Sequence, residues 1–321
     1  MNAIRVGRTG GPEVLELGQT DRPRPGAGQV LVKVGAAGVN FIEVYQRTGL
    51  YPMKLPFTPG AEFAGVVEEV GEGVSIPAGT RVATANGVGA YAEYALAPAD
   101  RVIALPEGVT EQQGAAAMLQ GMTAHYLATS IRPLEPGMTC LVHAAAGGVG
   151  RLLCQIARMR GARVIGTTST EEKARIARDA GAHDVVLYTR ENFTDAVKRL
   201  TDGRGVDVVF DSVGKDTQHG SLASLAVRGI LVSFGNSSGP APAIEPLALS
   251  RGGSLFLTRP SLGHYTLTRE EFEWRATDIL NWIARGELTL HIYKEYPLAE
   301  AAQAHRDLEA RKTIGKVLLI P

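Results

Sequence analysis

From residue 139 onward, short runs of apolar and β-branched residues alternate with stretches whose apolar positions recur every three or four residues. The runs are Thr139–His143, Arg163–Thr167, Asp184–Leu187, Val206–Phe210 and Gly229–Gly235. Helical patterns lie between them at Val149–Arg160, Glu171–Ala180, Phe193–Leu200 and Asp216–Leu225. Apolar strands alternating with helices predict a parallel sheet covered on both faces. After Gly253, SLFLT reads as one further strand. The first hundred residues follow a different rhythm. Their β-prone runs (Gln29–Val34, Gly65–Val70, Arg81–Ala85, Ala90–Ala97) are separated by Gly and Pro clusters such as DRPRPGAG and VSIPAGTRV. Thr110-x-x-Gln113 reads as a capping box ahead of the alanine-rich QQGAAAMLQGMTAHYLA, and Thr268-x-x-Glu271 as another, opening a helix through Ala284. GKVLLI closes the chain as a strand. The fold class expected is α/β. A doubly wound parallel-sheet domain, 120–258, is inserted into a β-rich domain built from 1–119 and 259–321. Ligand is expected at the carboxyl ends of the parallel strands.

The junction between the first of these strands and its helix carries the most specific chemistry. Met138–Val142 leads into Ala144-x-x-Gly147-x-x-Gly150, and Val149, Leu152, Leu153 and Ile156 then share one helical face. Small residues in such a turn let the backbone approach a pyrophosphate, and the helix N-terminus presents free N–H groups to the anion. Ala144 stands where the first glycine of the fingerprint is usual. The alternative reading is a tight turn that only packs helix on sheet.

The second strand bears on which dinucleotide. An NAD-selective site carries Asp or Glu about 20 residues beyond the turn, on the ribose hydroxyls. Here RVIGTTSTEEK ends without a carboxylate; Thr167, Thr168 and Ser169 come first, and Lys173 follows. Hydroxyls and a cation suit a 2′-phosphate, so NADPH is expected. Against this, Ser169-x-x-Glu172 can serve simply as a capping box beside a solvated lysine.

Composition narrows the class. Lys and Arg together number 33, as do Asp and Glu, so the chain presents no electrostatic footprint for nucleic acid or an anionic membrane. No apolar run reaches the roughly 18–20 residues of a membrane span. MNAIRVGRTGG has no signal-peptide core, and cytoplasmic localisation is expected. Cys140 and Cys154 fall on the predicted strand and helix around the turn and read as buried apolar residues, not a disulfide.

Ordered motifs along nearly the whole chain resemble the medium-chain dehydrogenase/reductase superfamily. They are GGPEVLEL, AAGVNFIEVYQRTGLYP, PGAEFAGVVEEVG, HAAAGGVG, VVFDSVG, LVSFGNSSG, SLFLTRPSL and the terminal LLIP. The chain is similar within it to the zinc-free NADPH:quinone oxidoreductases related to ζ-crystallin. This resemblance implies a Rossmann-type domain for NADPH and a GroES-like catalytic domain. It implies Asn40, Tyr45 and Thr123 at the nicotinamide, with Tyr51 at the pocket entrance. Ala146, Gly147, Gly148 and Val149 are implied at the pyrophosphate. Thr168, Ser169, Lys173 and Tyr188 are implied at the 2′-phosphate, and Ser212, Phe234, Gly235 and Asn236 beside the nicotinamide. Lys316 is implied at a phosphate. Relatives form homodimers through a sheet edge, for which GSLFLTR is the expected segment.

The departures matter too. Zinc-dependent alcohol dehydrogenases of this superfamily hold catalytic zinc with a Cys and with the His and Glu of GHExxG; here those places carry Asn40, Ala61 and Glu62. No metal is therefore expected. His143 reads as a packed or hydrogen-bonded residue, not a catalyst. Without a Lewis acid the acceptor must itself be electron-poor, which points to quinones. The alternatives are a 2-alkenal or enone reductase, and a ζ-crystallin-like RNA-binding or structural role.

Overall fold

A computed structural model describes all 321 residues, in two compact units. One comprises Met1–Met122 with Thr266–Pro321, the other Thr123–Tyr265.

The second unit is built on six parallel strands. In spatial order they are Asp184–Leu187, Arg163–Thr168, Thr139–Val142, Val206–Asp211, Leu225–Ser233 and Phe256–Thr258. Numbered by sequence this is 3-2-1-4-5-6, the order of dinucleotide-binding sheets. The order reverses between Thr139–Val142 and Val206–Asp211. Loops leaving the carboxyl ends of those two strands must diverge, which opens a crevice there. The core on this sheet includes Leu141, Ile165, Val209 and Leu231, all fully buried. Helix Gly148–Met159 turns Leu152, Leu153 and Ile156 inward, each at most 3% exposed. Burying each such side chain stabilises by about 1.5–3 kcal/mol.

The helix expected at Asp216–Leu225 spans only Gln218–Ala223. Leu225 instead begins the fifth strand, because the Ser224 carbonyl already accepts from the Val206 amide at 2.9 Å. A register shift between Val206 and Val208 then absorbs the turn at Arg228, whose φ is +62°.

The first unit carries a seven-stranded, largely antiparallel sheet. Its path runs Ile292–Pro297, Lys316–Ile320, Gln29–Val39, Phe63–Val70, Arg81–Thr84 and Ile103–Ala104, with Tyr94–Pro98 also paired to Gln29–Val39. Strand Gln29–Val39 is longer than its apolar run predicts, because it pairs with three neighbours in succession. The expected run Ala90–Ala97 becomes a strand only from Tyr94; Ala92 makes an isolated bridge to Ala3. Both capping boxes form. Gln113 N donates to Thr110 Oγ1 at 3.1 Å, and Glu271 N to Thr268 Oγ1 at 3.2 Å. No helix is long and apolar enough to cross a membrane. Cys140 and Cys154 are free and buried, and burial pushes the Cys154 thiol up to about 12.

Candidate active site

In the Rossmann unit the turn after Val142 is held by its own backbone. Gly147 N donates to Ala144 O at 2.8 Å and Ala145 N to Thr167 O at 3.1 Å. Ala144 takes the position of the usual first glycine at φ +50°, a left-handed conformation costing an alanine about 1–2 kcal/mol. Gly150 is required by space: a Cβ there would sit 2.3 Å from the Ala144 carbonyl oxygen. Helix Gly148–Met159 starts directly above, so the N–H groups of Gly148, Val149 and Gly150 have no intrahelical acceptor. Such an arrangement of free N–H groups can receive an anion. Gly147 is the N-cap of this helix and Ala146 precedes it.

At the end of the second strand, Thr167 and Thr168 are buried, and Tyr188 N donates to Thr168 O at 3.2 Å, bringing Tyr188 beside it. The cap of the following helix is Thr170, not Ser169. Thr170 Oγ1 accepts from Lys173 N at 3.3 Å, and helix Glu171–Asp179 begins one residue later than a Ser169 cap would set it. The capping alternative for Ser169 is thereby corrected, because Thr170 has the extended backbone and makes the bond. Thr168 ends this strand and Ser169 follows it, Lys173 lies in the first turn of the next helix, and Tyr188 follows the neighbouring strand Asp184–Leu187; no Asp or Glu ends the strand.

The fourth and fifth strands end in two interlocked loops. Asp211 Oδ1 accepts from Val213 N at 2.8 Å and Gly214 N at 3.0 Å. Phe234 N donates to Asp211 O at 2.8 Å and Ser237 N to Ser212 O at 3.2 Å. A Cβ on Gly235 would lie 2.3 Å from the Ser212 carbonyl oxygen, so the loops touch backbone to backbone. Arg259 Nη1 donates to Gly235 O at 3.0 Å and steadies the Phe234–Asn236 segment.

In the first unit the expected residues gather around helix Phe41–Thr48. Asn40 is its N-cap; its backbone N–H donates to Glu43 Oε2 at 2.8 Å. The Tyr45 ring meets the edge of Tyr51 at 5.3 Å. The Asn40 amide is fully engaged. Its Nδ2 donates to Glu62 Oε2 at 2.9 Å, and its Oδ1 accepts from Lys316 Nζ at 2.7 Å and Gln120 Nε2 at 3.4 Å. Lys316 Nζ also forms an ion pair with Glu62 Oε2. Lys316, expected at a phosphate, is therefore bound inside the protein in this structure. Its side chain is 2% exposed and its ammonium is held by an oxygen of Glu62 and one of Asn40. Glu43 is wholly buried in the same cluster, and burial pushes its carboxyl up to about 7 against the opposing charge of Lys316. Thr123 is buried in helix Glu111–Tyr126, at the start of the second unit.

Two family descriptions match the chain: a zinc-binding dehydrogenase domain over 148–282 and an alcohol dehydrogenase GroES-like domain over 26–107. The chain is 46% identical over 321 residues to a quinone oxidoreductase of Pseudomonas aeruginosa, covering 99% of each. It is 41% identical to a 2-haloacrylate reductase of a Burkholderia species, covering 99% of this chain and 98% of the other. A mycobacterial structure complexed with NADPH superposes with a TM-score of 0.98 at 50% identity, covering all of both chains. The chain belongs to the quinone oxidoreductases of the medium-chain dehydrogenase/reductase superfamily.

Zinc, which the matched dehydrogenase description implies for part of this superfamily, does not fit this quinone oxidoreductase. Glu62 Oε1 accepts from Leu119 N at 2.7 Å, and Oε2 already receives Asn40 and Lys316. Ala61 offers no ligand atom, and no group of three or more His, Cys, Asp and Glu is spaced to hold a metal. The pairing of Glu62 with Lys316 was missed in the sequence. The residues are 254 apart, and their only signal was Glu62 surviving in a motif that had lost its other ligand.

Proposed function

We infer that this protein transfers reducing equivalents from NADPH to quinones without a metal. Glu62 carries the reading. Both its oxygens are satisfied by protein donors, so the place of a zinc ligand is closed and no ion polarises the acceptor. The acceptor must then take the added charge itself, as quinones and other conjugated carbonyls do. The whole-length likeness to a quinone oxidoreductase supports the quinone.

NADPH supplies the reducing equivalents when bound. The Gly148–Gly150 amides suit its pyrophosphate. Ser169, Lys173 and Tyr188 suit its 2′-phosphate, since no carboxylate ends the second strand. Ser212, Phe234, Gly235 and Asn236 are assigned to the nicotinamide end, with Asn40, Tyr45 and Thr123. Lys316, Glu62 and Gln120 hold the Asn40 amide in one orientation. The Tyr45–Tyr51 pair offers apolar edges to a flat acceptor. The completing proton comes from solvent.

A second reading has one observation behind it: the 2-haloacrylate reductase relative, whose name indicates an activated alkene. Stopped-flow NADPH oxidation with 1,4-benzoquinone, 9,10-phenanthrenequinone, 2-alkenals and 2-haloacrylates separates the two. Fastest turnover with quinones is expected; turnover restricted to the alkenes would replace the quinone reading.

The protein is assigned to the cytoplasm as a homodimer. Strand Phe256–Thr258 has a neighbour on one side only, with Phe256 57% and Leu257 41% exposed. An apolar edge of this kind is a liability unless covered. Sedimentation should give a dimer that F256D splits; a monomeric wild type would remove the assignment.

A further inference from the structure

A buried chain of side chains crosses the point where the strand order reverses. His143 follows the first strand, with its backbone N–H on Phe210 O at 3.1 Å. Its Nδ1 lies 2.9 Å from Thr167 Oγ1, on the second strand, and its Nε2 lies 3.0 Å from Ser221 Oγ. Ser221 Oγ donates to Asp211 Oδ2 at 2.7 Å. Thr217 Oγ1 donates to the same carboxylate at 2.8 Å. None of His143, Ser221 or Asp211 is more than 1% exposed.

The protons in this chain are determined by counting. Ser221 has one hydroxyl proton and gives it to Asp211, so at Nε2 it can only accept. His143 therefore carries its proton on Nε2, and Nδ1 accepts from the Thr167 hydroxyl. Every member is satisfied by a neutral imidazole. Burial favours the same state by lowering the His143 pKa, against the opposing charge of Asp211. The Phe193 ring closes over the imidazole edge-on at 4.9 Å. This is not a hydrolytic triad: the serine stands between acid and imidazole, and all three are shut from solvent.

The position of the chain gives it a use. His143 adjoins Ala144, where the glycine turn begins. Asp211 holds the amides of Val213 and Gly214 and so shapes the loop facing Gly235. We propose that His143, Ser221 and Asp211 form a positioning strap across the first, second and fourth strands, which pre-sets the two loops that receive the dinucleotide and thereby sets its affinity. The proposal rests on the NADPH reading above. None of the three touches the cofactor. They act through the backbone they hold, removing an ordering cost that binding would otherwise bear.

The test compares wild type, S221A and H143F for NADPH affinity by calorimetry, for kcat at saturating NADPH, and for Tm. Phe keeps the ring against Phe193 and removes both hydrogen bonds. Each variant should raise the NADPH Kd about tenfold, the scale of one hydrogen bond in a chain ending on a charge, while kcat stays within about twofold. A lowered Tm with unchanged Kd would make the chain mere fold support and overturn the strap. If H143F does not fold, ¹⁵N-histidine NMR of the wild type still decides: the strap requires a neutral His143 with its proton on Nε2 near pH 7, and a proton on Nδ1 contradicts it. Wild type that fails to bind NADPH defeats the cofactor reading and the strap together; wild type that binds, with variants equal to it, defeats the strap alone.

Discussion

The two units build their candidate sites by opposite means. In the Rossmann unit the proposed anion cradle is backbone: a tight turn, a helix N-terminus and two loops in close approach, with side chains mainly excluded. In the β-rich unit the cluster is side chain: Asn40, Glu62, Gln120 and Lys316 come from four distant segments and satisfy one another in a buried space. The first device accepts a small residue for glycine where the turn has room, as at Ala144, but not at Gly150 or Gly235, where a Cβ would meet a carbonyl oxygen at 2.3 Å. The second tolerates almost no change of residue, because each charge is compensated only by its partner.

That contrast predicts its own largest effect. K316M strands the Glu62 carboxylate in the interior and should cost about 3–5 kcal/mol in urea unfolding, while E62Q/K316M, which removes both charges, should recover much of it. Equal losses in single and double variants would show that the pair is not coupled.

Next comes Glu43. Its folded pKa of about 7 exceeds the ordinary 4.5, so the folded state holds a proton that the unfolded chain releases. Wild-type stability should therefore fall as pH rises from about 4.5 through 7, by an amount on the order of 3 kcal/mol. E43Q lacks this penalty and should gain on wild type across that window. A pH-independent difference would mean that Glu43 is ionised throughout.

The cradle unit should respond in binding more than in stability. K173A should weaken NADPH by about 1.5–3 kcal/mol, the value of a hydrogen bond to a charged group, and leave NADH nearly unchanged. Equal small losses for both would cancel the 2′-phosphate assignment. G150A should weaken NADPH and NADH alike, by about 1–3 kcal/mol, as its Cβ forces the Ala144 carbonyl aside. A loss confined to NADPH would contradict a pyrophosphate role for this turn.

The same contrast explains what the sequence disclosed. The parallel strands, the glycine turn and both capping boxes were legible because each is set by neighbours within a few residues. The fifth strand's early start at Leu225 was hidden, since it depends on a bond between Val206 and Ser224. Thr170 outdid Ser169 as cap by one residue, a choice made by backbone conformation that composition does not encode. In the site, motifs pointed to residues at strand ends, but the burial of Lys316 against Glu62 and Asn40 could not be read. Its partners lie 254 and 276 residues away, and a lone lysine opening the closing strand gives no sign of a buried carboxylate waiting for it.

The central claim is that quinone reduction by NADPH proceeds with no ion at Glu62. Enzyme dialysed exhaustively against EDTA should reduce 1,4-benzoquinone in stopped flow at the undialysed rate, with no gain on adding zinc. Activity that disappears on dialysis and returns with zinc would contradict it.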